Sequence, residues 1–233
     1  GRAFAARRGT RRVVVGRDGR ASSPALAAAL IRGLVESGVE VLDIGLAGTE
    51  EMYFATDHLG ADGGIEVTAS HNPPEWNGVQ FMEPDSHIWW PELEDAAKAA
   101  LNEPFEWPAW DHGGVVKPFD GVLPAYLDWL VEMANPAGTL KVVLDPGGGA
   151  AIPAAKIALE RLGMQVHSIN GKPDGHFTAR PSEPREEHLE ELQRTVVEEG
   201  ADIGIAFDGD ADRIVTFDEK GNYVLPDYTI ELL

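Results

Sequence analysis

Cysteine is absent from all 233 residues, which excludes a disulfide framework, a thiolate zinc site and a cysteine nucleophile. Long apolar runs are missing too: no stretch approaches the ~18 residues that a membrane span needs. Positive charge is scarce, with 19 Lys and Arg against 39 Asp and Glu for a formal net charge of −20. Eight of the arginines fall within residues 1–33 beside a single acid, Asp18, so the remainder is more acidic still. Such a body repels a phosphate backbone, and neither nucleic acid nor a membrane is an expected partner. The Arg-rich start has apolar residues interleaved and reads as a solvated helix end. What remains is 43% hydrophobic and 25% charged, the composition of a folded protein, and a reducing cytoplasm suits it.

Residues 11–15 (RRVVV) form a β-branched run that ends at the loop GRDGRASSP. Ser22 or Ser23 can cap a helix with Pro24 in its first turn, and Gly38 is a suitable stop. VEVLDIG then supplies a second strand, so the unit is a βαβ crossover with a parallel pair. A second such unit begins at KVVLD (141–145), passes through PGGG and resumes after Gly163. Residues 60–70 (GADGGIEVTAS) and 200–210 (GADIGIAFDGD) then coincide at Gly, Ala, Asp, Gly and Ile with a constant offset. Each follows a helix, about 49–58 and 186–199, and enters a strand. The fold class is therefore α/β: two tandem, duplicated domains with mixed, mostly parallel sheets covered by helices and a cleft between them. Residues 102–121, rich in Pro, Trp and Gly, read as a rim and connector, and the helix after them stops at Asn135-Pro136. The boundary falls near residue 137, giving domains 1–137 and 138–233.

Two loops at equivalent strand ends carry the chemistry, because ligands of open α/β sheets gather beyond those ends. DGDADR places Asp208, Asp210 and Asp212 at alternate positions, and a hard divalent cation is the natural occupant of three such carboxylates. An EF-hand is excluded by Arg213 where the turn needs Gly and by strand-like flanks. The DxDx(T/V) loop of dehalogenase-like phosphatases fits poorly, since Asp212 stands at the Thr/Val position. A polar acidic turn is the remaining alternative. The other loop, TASHNPPEWNG (68–78), offers Ser70, His71 and Asn72 without the GxSxG elbow of an acyl hydrolase; alone it reads as an Asx-type turn closed by Asn77-Gly78. A serine oxygen beside a carboxylate-bound Mg²⁺ is a sound phosphoryl carrier, with Arg213 or Arg20 able to add charge-assisted hydrogen bonds. Arg17 and Arg20 sit at a strand-to-helix turn that suits an anion, although Arg17 could equally pair with a local carboxylate. PGGG lacks the third glycine of a dinucleotide loop, since Ile152 occupies that place. Trp89, Trp90, Trp107 and Trp110 are expected to pack rather than to stack on sugar.

TASHNP followed by NG, together with DGDADR and VGRDGR, resembles the α-D-phosphohexomutase family, with residues 39–78 most similar to bacterial phosphomannomutases. The resemblance implies that Ser70 is the phosphoserine of a mutase acting on mannose 6-phosphate and mannose 1-phosphate through a hexose 1,6-bisphosphate. It implies Mg²⁺ held by Asp208, Asp210, Asp212 and the serine oxygen, with His71 and Arg213 in the same catalytic centre. Arg17, Arg20 and Asn72 are the candidate phosphate- and substrate-binding residues. The likeness covers the first two of four family domains, so the chain is expected to be an amino-terminal portion with little turnover alone, Asp227–Leu233 entering the third. Two departures stand out: the FxxYDIRG-like opening segment is missing, and Gln80 stands where the family has a Lys, although Gln cannot exchange a proton at neutral pH. The same chemistry on glucose or glucosamine phosphate, a non-catalytic remnant, and a structural Ca²⁺ module are the alternatives.

Overall fold

A computed structural model describes residues 1–8, 10–84, 91–102, 109, 112–136 and 138–231. The boundary at 137 and the four tryptophans named above lie outside them. The first half runs α1 (Arg2–Arg8), β1 (Arg12–Arg17), α2 (Ser23–Glu36), β2 (Glu40–Leu46), α3 (Thr49–His58), β3 (Gly63–Val67), β4 (Gln80–Met82), α4 (Pro91–Asn102), β5 (Val115–Pro118) and α5 (Val122–Met133). The second runs β6 (Lys141–Asp145), α6 (Ala155–Arg161), β7 (Gln165–Ser168), α7 (Glu190–Glu199), β8 (Ile203–Phe207), β9 (Ile214–Phe217), β10 (Tyr223–Val224) and α8 (Pro226–Glu231). No helix among the described residues is long and apolar enough to cross a membrane.

The sheet orders are β4-β3-β1-β2-β5 and β10-β9-β8-β6-β7. The expected duplication is therefore present in the topology. In each sheet a central strand has two parallel neighbours, and the third strand of the unit turns back on an antiparallel partner. Both faces of the first sheet are covered, which is why β1 is uniformly apolar rather than alternating. Val13 and Val15 pack with Phe4, Leu34 and Val39 on one face, while Val14 packs with Met52 and Ala55 on the other. In the second sheet Leu192 and Val196 of α7 lie against Val143, Ala206 and Phe217.

The repeated GAD has a local reason. Gly60 and Gly200 both have φ of 57°, the left-handed region that glycine enters without Cβ strain. Ala61 and Ala201 are buried beneath the turn. Asp62 then accepts from the N–H groups of Arg11 and Arg12 at 2.8 and 2.9 Å, and Asp202 accepts from Lys141 N–H at 2.7 Å. Each aspartate thus brackets the start of its sheet's central strand.

Two expectations are corrected. The connector read over 102–121 contains β5, an edge strand parallel to β2, where Pro118 is tolerated at the open edge. Neither Ser22 nor Ser23 caps α2; both hydroxyls accept from Asn77 Nδ2, at 2.8 and 2.9 Å, and Ser23 donates to Asp18. These hydroxyls fasten the helix start to the serine loop instead.

Candidate active site

The carboxyl ends of β3 and β8 face each other, and there the two chemical loops meet. Ser70 Oγ donates to Asp208 Oδ2 at 3.0 Å and lies 3.3 Å from His71 Nδ1. Ser70 itself has φ of 49°, an uncommon conformation for a residue with a Cβ. Its N–H is held by Thr68 Oγ1 at 2.8 Å. Across the junction, a Cβ at Gly209 would stand 2.5 Å from the Ser70 carbonyl oxygen, so only glycine permits the approach. The PGGG loop supports the same turn rather than a dinucleotide: Ala150 N–H donates to Gly209 O at 3.0 Å.

The serine loop is anchored by a cation that water barely reaches. Arg20 is 1% exposed. Its Nε donates to Asp18 at 2.9 Å, Nη1 to the carbonyls of Pro73 and Trp76, and Nη2 to those of Ser70 and Asn72. An arginine has five N–H donors, and all five are committed. The expected role for Arg20 at a phosphate is thus replaced: it holds the loop that carries Ser70. Asp18, fully buried, also accepts from Thr68 Oγ1 at 2.8 Å; burial raises its carboxyl, and these hydrogen bonds oppose the rise. From the second half, Ser182 Oγ lies 2.9 and 2.7 Å from the carbonyls of His71 and Asn72, and the Phe177 ring lies 5.1 Å from the Arg20 guanidinium. A second buried pair, Arg180 with Asp145 at 2.8 Å, ties the ends of β6 and β8 together through Phe207 O.

Asn72 donates its side-chain amide back to Ala69 O at 2.9 Å; the expected Asx-type turn is not formed, since the residue two positions on is Pro74, which has no N–H to donate. Arg17 is half-buried at the end of β1, and among the described residues it makes no ion pair. Arg213 points largely into solvent, with Nε 3.8 Å from Asp212 Oδ1, while its N–H donates to Asp208 at 3.2 Å.

Asp208, Asp210 and Asp212 offer carboxylate oxygens that all lie within 4.8 Å of one another. Burial, reinforced by the charges of Asp210 and Asp212, pushes the Asp208 carboxyl up to about 8. Burial and the Asp210 charge likewise raise Asp212. Asp210 is fully buried, and its Oδ1 has no hydrogen-bond partner among the described residues. A hard cation suits this set of oxygens, because it would satisfy the orphaned atom and offset the mutual repulsion at once.

Thr49, Glu66 and Ser182 escape a reading of sequence motifs, and Gln80, noted there only as a departure from a Lys, has a contact that reading does not give. Thr49 Oγ1 and Gln80 Nε2 reach Asp210 Oδ2 at 3.0 and 3.3 Å. Glu66 is fully buried, neither of its oxygens has a partner among the described residues, and burial together with the charges of Asp18, Asp210 and Glu51 raises its carboxyl well above the ordinary range. A glutamate inside the otherwise apolar strand GGIEV was the signal available for it. Thr49 and Ser182 carry no such signal.

The fold and the site define a tandem α/β protein with a hydroxyl set against an acidic, cation-ready triplet. Residues 1–105 match the family model described as phosphoglucomutase/phosphomannomutase, alpha/beta/alpha domain I, and residues 124–221 match domain II. The chain is 41% identical over 243 residues to a phosphomannomutase of Salmonella montevideo, covering 100% of this chain and 53% of that one. It is 39% identical over 236 residues to a Methanopyrus kandleri protein named "Probable phosphoglucosamine mutase", covering 100% and 52%. A crystal structure of a phosphoglucomutase/phosphomannomutase family protein from Burkholderia thailandensis superimposes with TM-score 0.89 at 32% identity, over 99% of this chain and 52% of that one. The chain belongs to the phosphoglucomutase/phosphomannomutase family, and it spans about half the length of the curated relatives it matches.

Proposed function

We propose that this chain supplies the phosphoserine and cation-binding domains, 1–137 and 138–233, of a Mg²⁺-dependent phosphomannomutase. The observation that supports the reading is the 3.0 Å hydrogen bond from Ser70 Oγ to Asp208, made between residues 138 positions apart. In this reading a phosphoryl group on Ser70 passes to the free hydroxyl of mannose 6-phosphate or mannose 1-phosphate. The phosphorus–oxygen bond to Ser70 breaks, one to the sugar oxygen forms, and the hydroxyl proton leaves to a base or to water. The resulting 1,6-bisphosphate then returns its other phosphoryl group to Ser70. Asp208, Asp210, Asp212 and the serine oxygen would hold Mg²⁺, which when bound neutralises phosphoryl oxygens. Arg213 has the free donors for a transferring phosphate, and His71 can exchange a proton beside Ser70. Gln80 cannot do so, which leaves no acid/base group at that position.

The experiment is intact-mass spectrometry after incubation with Mg²⁺ and a hexose 1,6-bisphosphate. An adduct of about 80 Da that maps to Ser70 and disappears in Ser70→Ala is expected; an unmodified chain, or an adduct elsewhere, overturns the reading. The relatives are named for different sugars at nearly equal identity, so glucosamine phosphate is the second substrate to assay. Higher turnover with glucosamine phosphate than with mannose phosphate would transfer the assignment to it.

A further inference from the structure

Asp210 is the most enclosed member of the triplet, and the groups that grip its carboxylate come from the other domain. One oxygen, Oδ2, receives two side-chain donors, Thr49 Oγ1 at 3.0 Å and Gln80 Nε2 at 3.3 Å. The other oxygen, Oδ1, receives none among the described residues. The grip extends to the main chain: Thr49 N–H donates to the Asp210 carbonyl at 2.9 Å. Thr49 is the first residue of α3 and is 1% exposed. The helix arrives so close that a Cβ at Gly48 would lie 3.2 Å from Asp210 O and 3.3 Å from the Ala211 Cβ.

We propose that Thr49 and Gln80 are positioning residues for the cation: they hold Asp210 across the domain junction by one oxygen and thereby present the other as a ligand. The inference rests on the cation reading above. Its physical basis is that a carboxylate turning freely about its bond offers either oxygen, whereas one pinned twice on Oδ2 offers only Oδ1. Outer hydrogen-bond partners that orient a metal ligand are typically worth ~10–100-fold in affinity. Both donors are also uncharged, so they orient Asp210 without offsetting the negative charge that attracts a divalent ion. A consequence is that cation binding and the docking of α3 on the acidic loop are linked, since both depend on the placement of one carboxylate.

The test is calorimetric titration of the 233-residue chain with MgCl₂. Thr49→Val removes the hydroxyl at nearly constant shape and keeps the main-chain contact; it is expected to weaken Mg²⁺ binding by about 10-fold. Thr49→Ser should restore binding to within about 3-fold, because the donor returns; a purely steric role would not follow that pattern. Gln80→Met, at a half-buried position that tolerates an apolar side chain of similar length, should also weaken binding, and it keeps the question open to test if Thr49→Val fails to fold. Folded Thr49→Val and Gln80→Met proteins that bind like wild type, while Asp210→Asn loses binding, would overturn the positioning role and leave the cation site intact. A wild-type chain that does not bind Mg²⁺ would overturn both.

Discussion

At the scale of single residues, the site depends on side chains whose burial leaves them no alternative partners. Arg20 lies between a carboxylate and four loop carbonyls. Arg20→Leu would leave Asp18 buried without its cation, a change that costs about 3–5 kcal/mol; urea denaturation should show that loss. Lys cannot substitute, because three donors on one nitrogen do not reproduce a planar five-donor fork. Glu51 gives a second prediction. It is 4% exposed, one oxygen has no partner among the described residues, and burial raises its carboxyl to about 7. The folded state therefore holds a proton that the unfolded state releases near pH 4.5, so stability is full below that pH. It declines as pH rises towards 7, by up to about 3 kcal/mol. Glu51→Gln, neutral throughout, should flatten that decline in melting temperatures measured between pH 4.5 and 8. An unchanged slope would show that Glu51 does not titrate as placed here.

At the scale of elements, the two halves repeat the same solution with different contacts. β3 and β8 each carry a glycine where a helix crosses closely. A Cβ at Gly64 would stand 2.3 Å from Thr56 Oγ1 and 2.4 Å from Met52 Sδ, and one at Gly204 would stand 2.6 Å from Val196 Cγ2. Gly64→Ala should push α3 away from the sheet and cost about 1–3 kcal/mol, measurable by thermal unfolding. Because α3 begins at Thr49, the same variant should also lower Mg²⁺ affinity, whereas Gly204→Ala, which displaces α7, should lower stability with less effect on the cation. The GAD turns were legible in the sequence because glycine conformation and an aspartate beside a strand start are short-range matters. The absence of a cap at Ser22 was not legible, since its competitor, Asn77, lies 55 residues away. β5 was hidden in a Pro- and Trp-rich stretch because an exposed edge strand needs little apolar patterning.

At the scale of the whole molecule, the halves are joined mainly at their chemical loops. Ser70 with Asp208, Thr49 and Gln80 with Asp210, and Ser182 with the carbonyls of His71 and Asn72 all bridge the two sheets. Away from the loops, Arg161 of α6 pairs with Asp128 of α5. A cation bound at the triplet should therefore stabilise the pair as a unit. Saturating Mg²⁺ at 100 times its dissociation constant is worth about 2.7 kcal/mol. The melting temperature should rise with MgCl₂, fall back on chelation, and lose this response in Asp208→Asn; a response that persists in the variant would place the ion elsewhere.

The sequence by itself determined the duplicated α/β plan, the serine loop and the alternating aspartates, because strand patterning, turn glycines and motif spacing are written within a few consecutive residues. Only the tertiary structure decided which oxygen of Asp210 is gripped, that four of the five donors of Arg20 are spent on the serine loop, and that Ser70 stands 3.0 Å from Asp208. Those partners lie between 50 and 161 residues apart. Hydrogen bonds over such separations depend on which strands lie side by side in a sheet and on how two sheets are set against each other, properties that no local run of residues encodes.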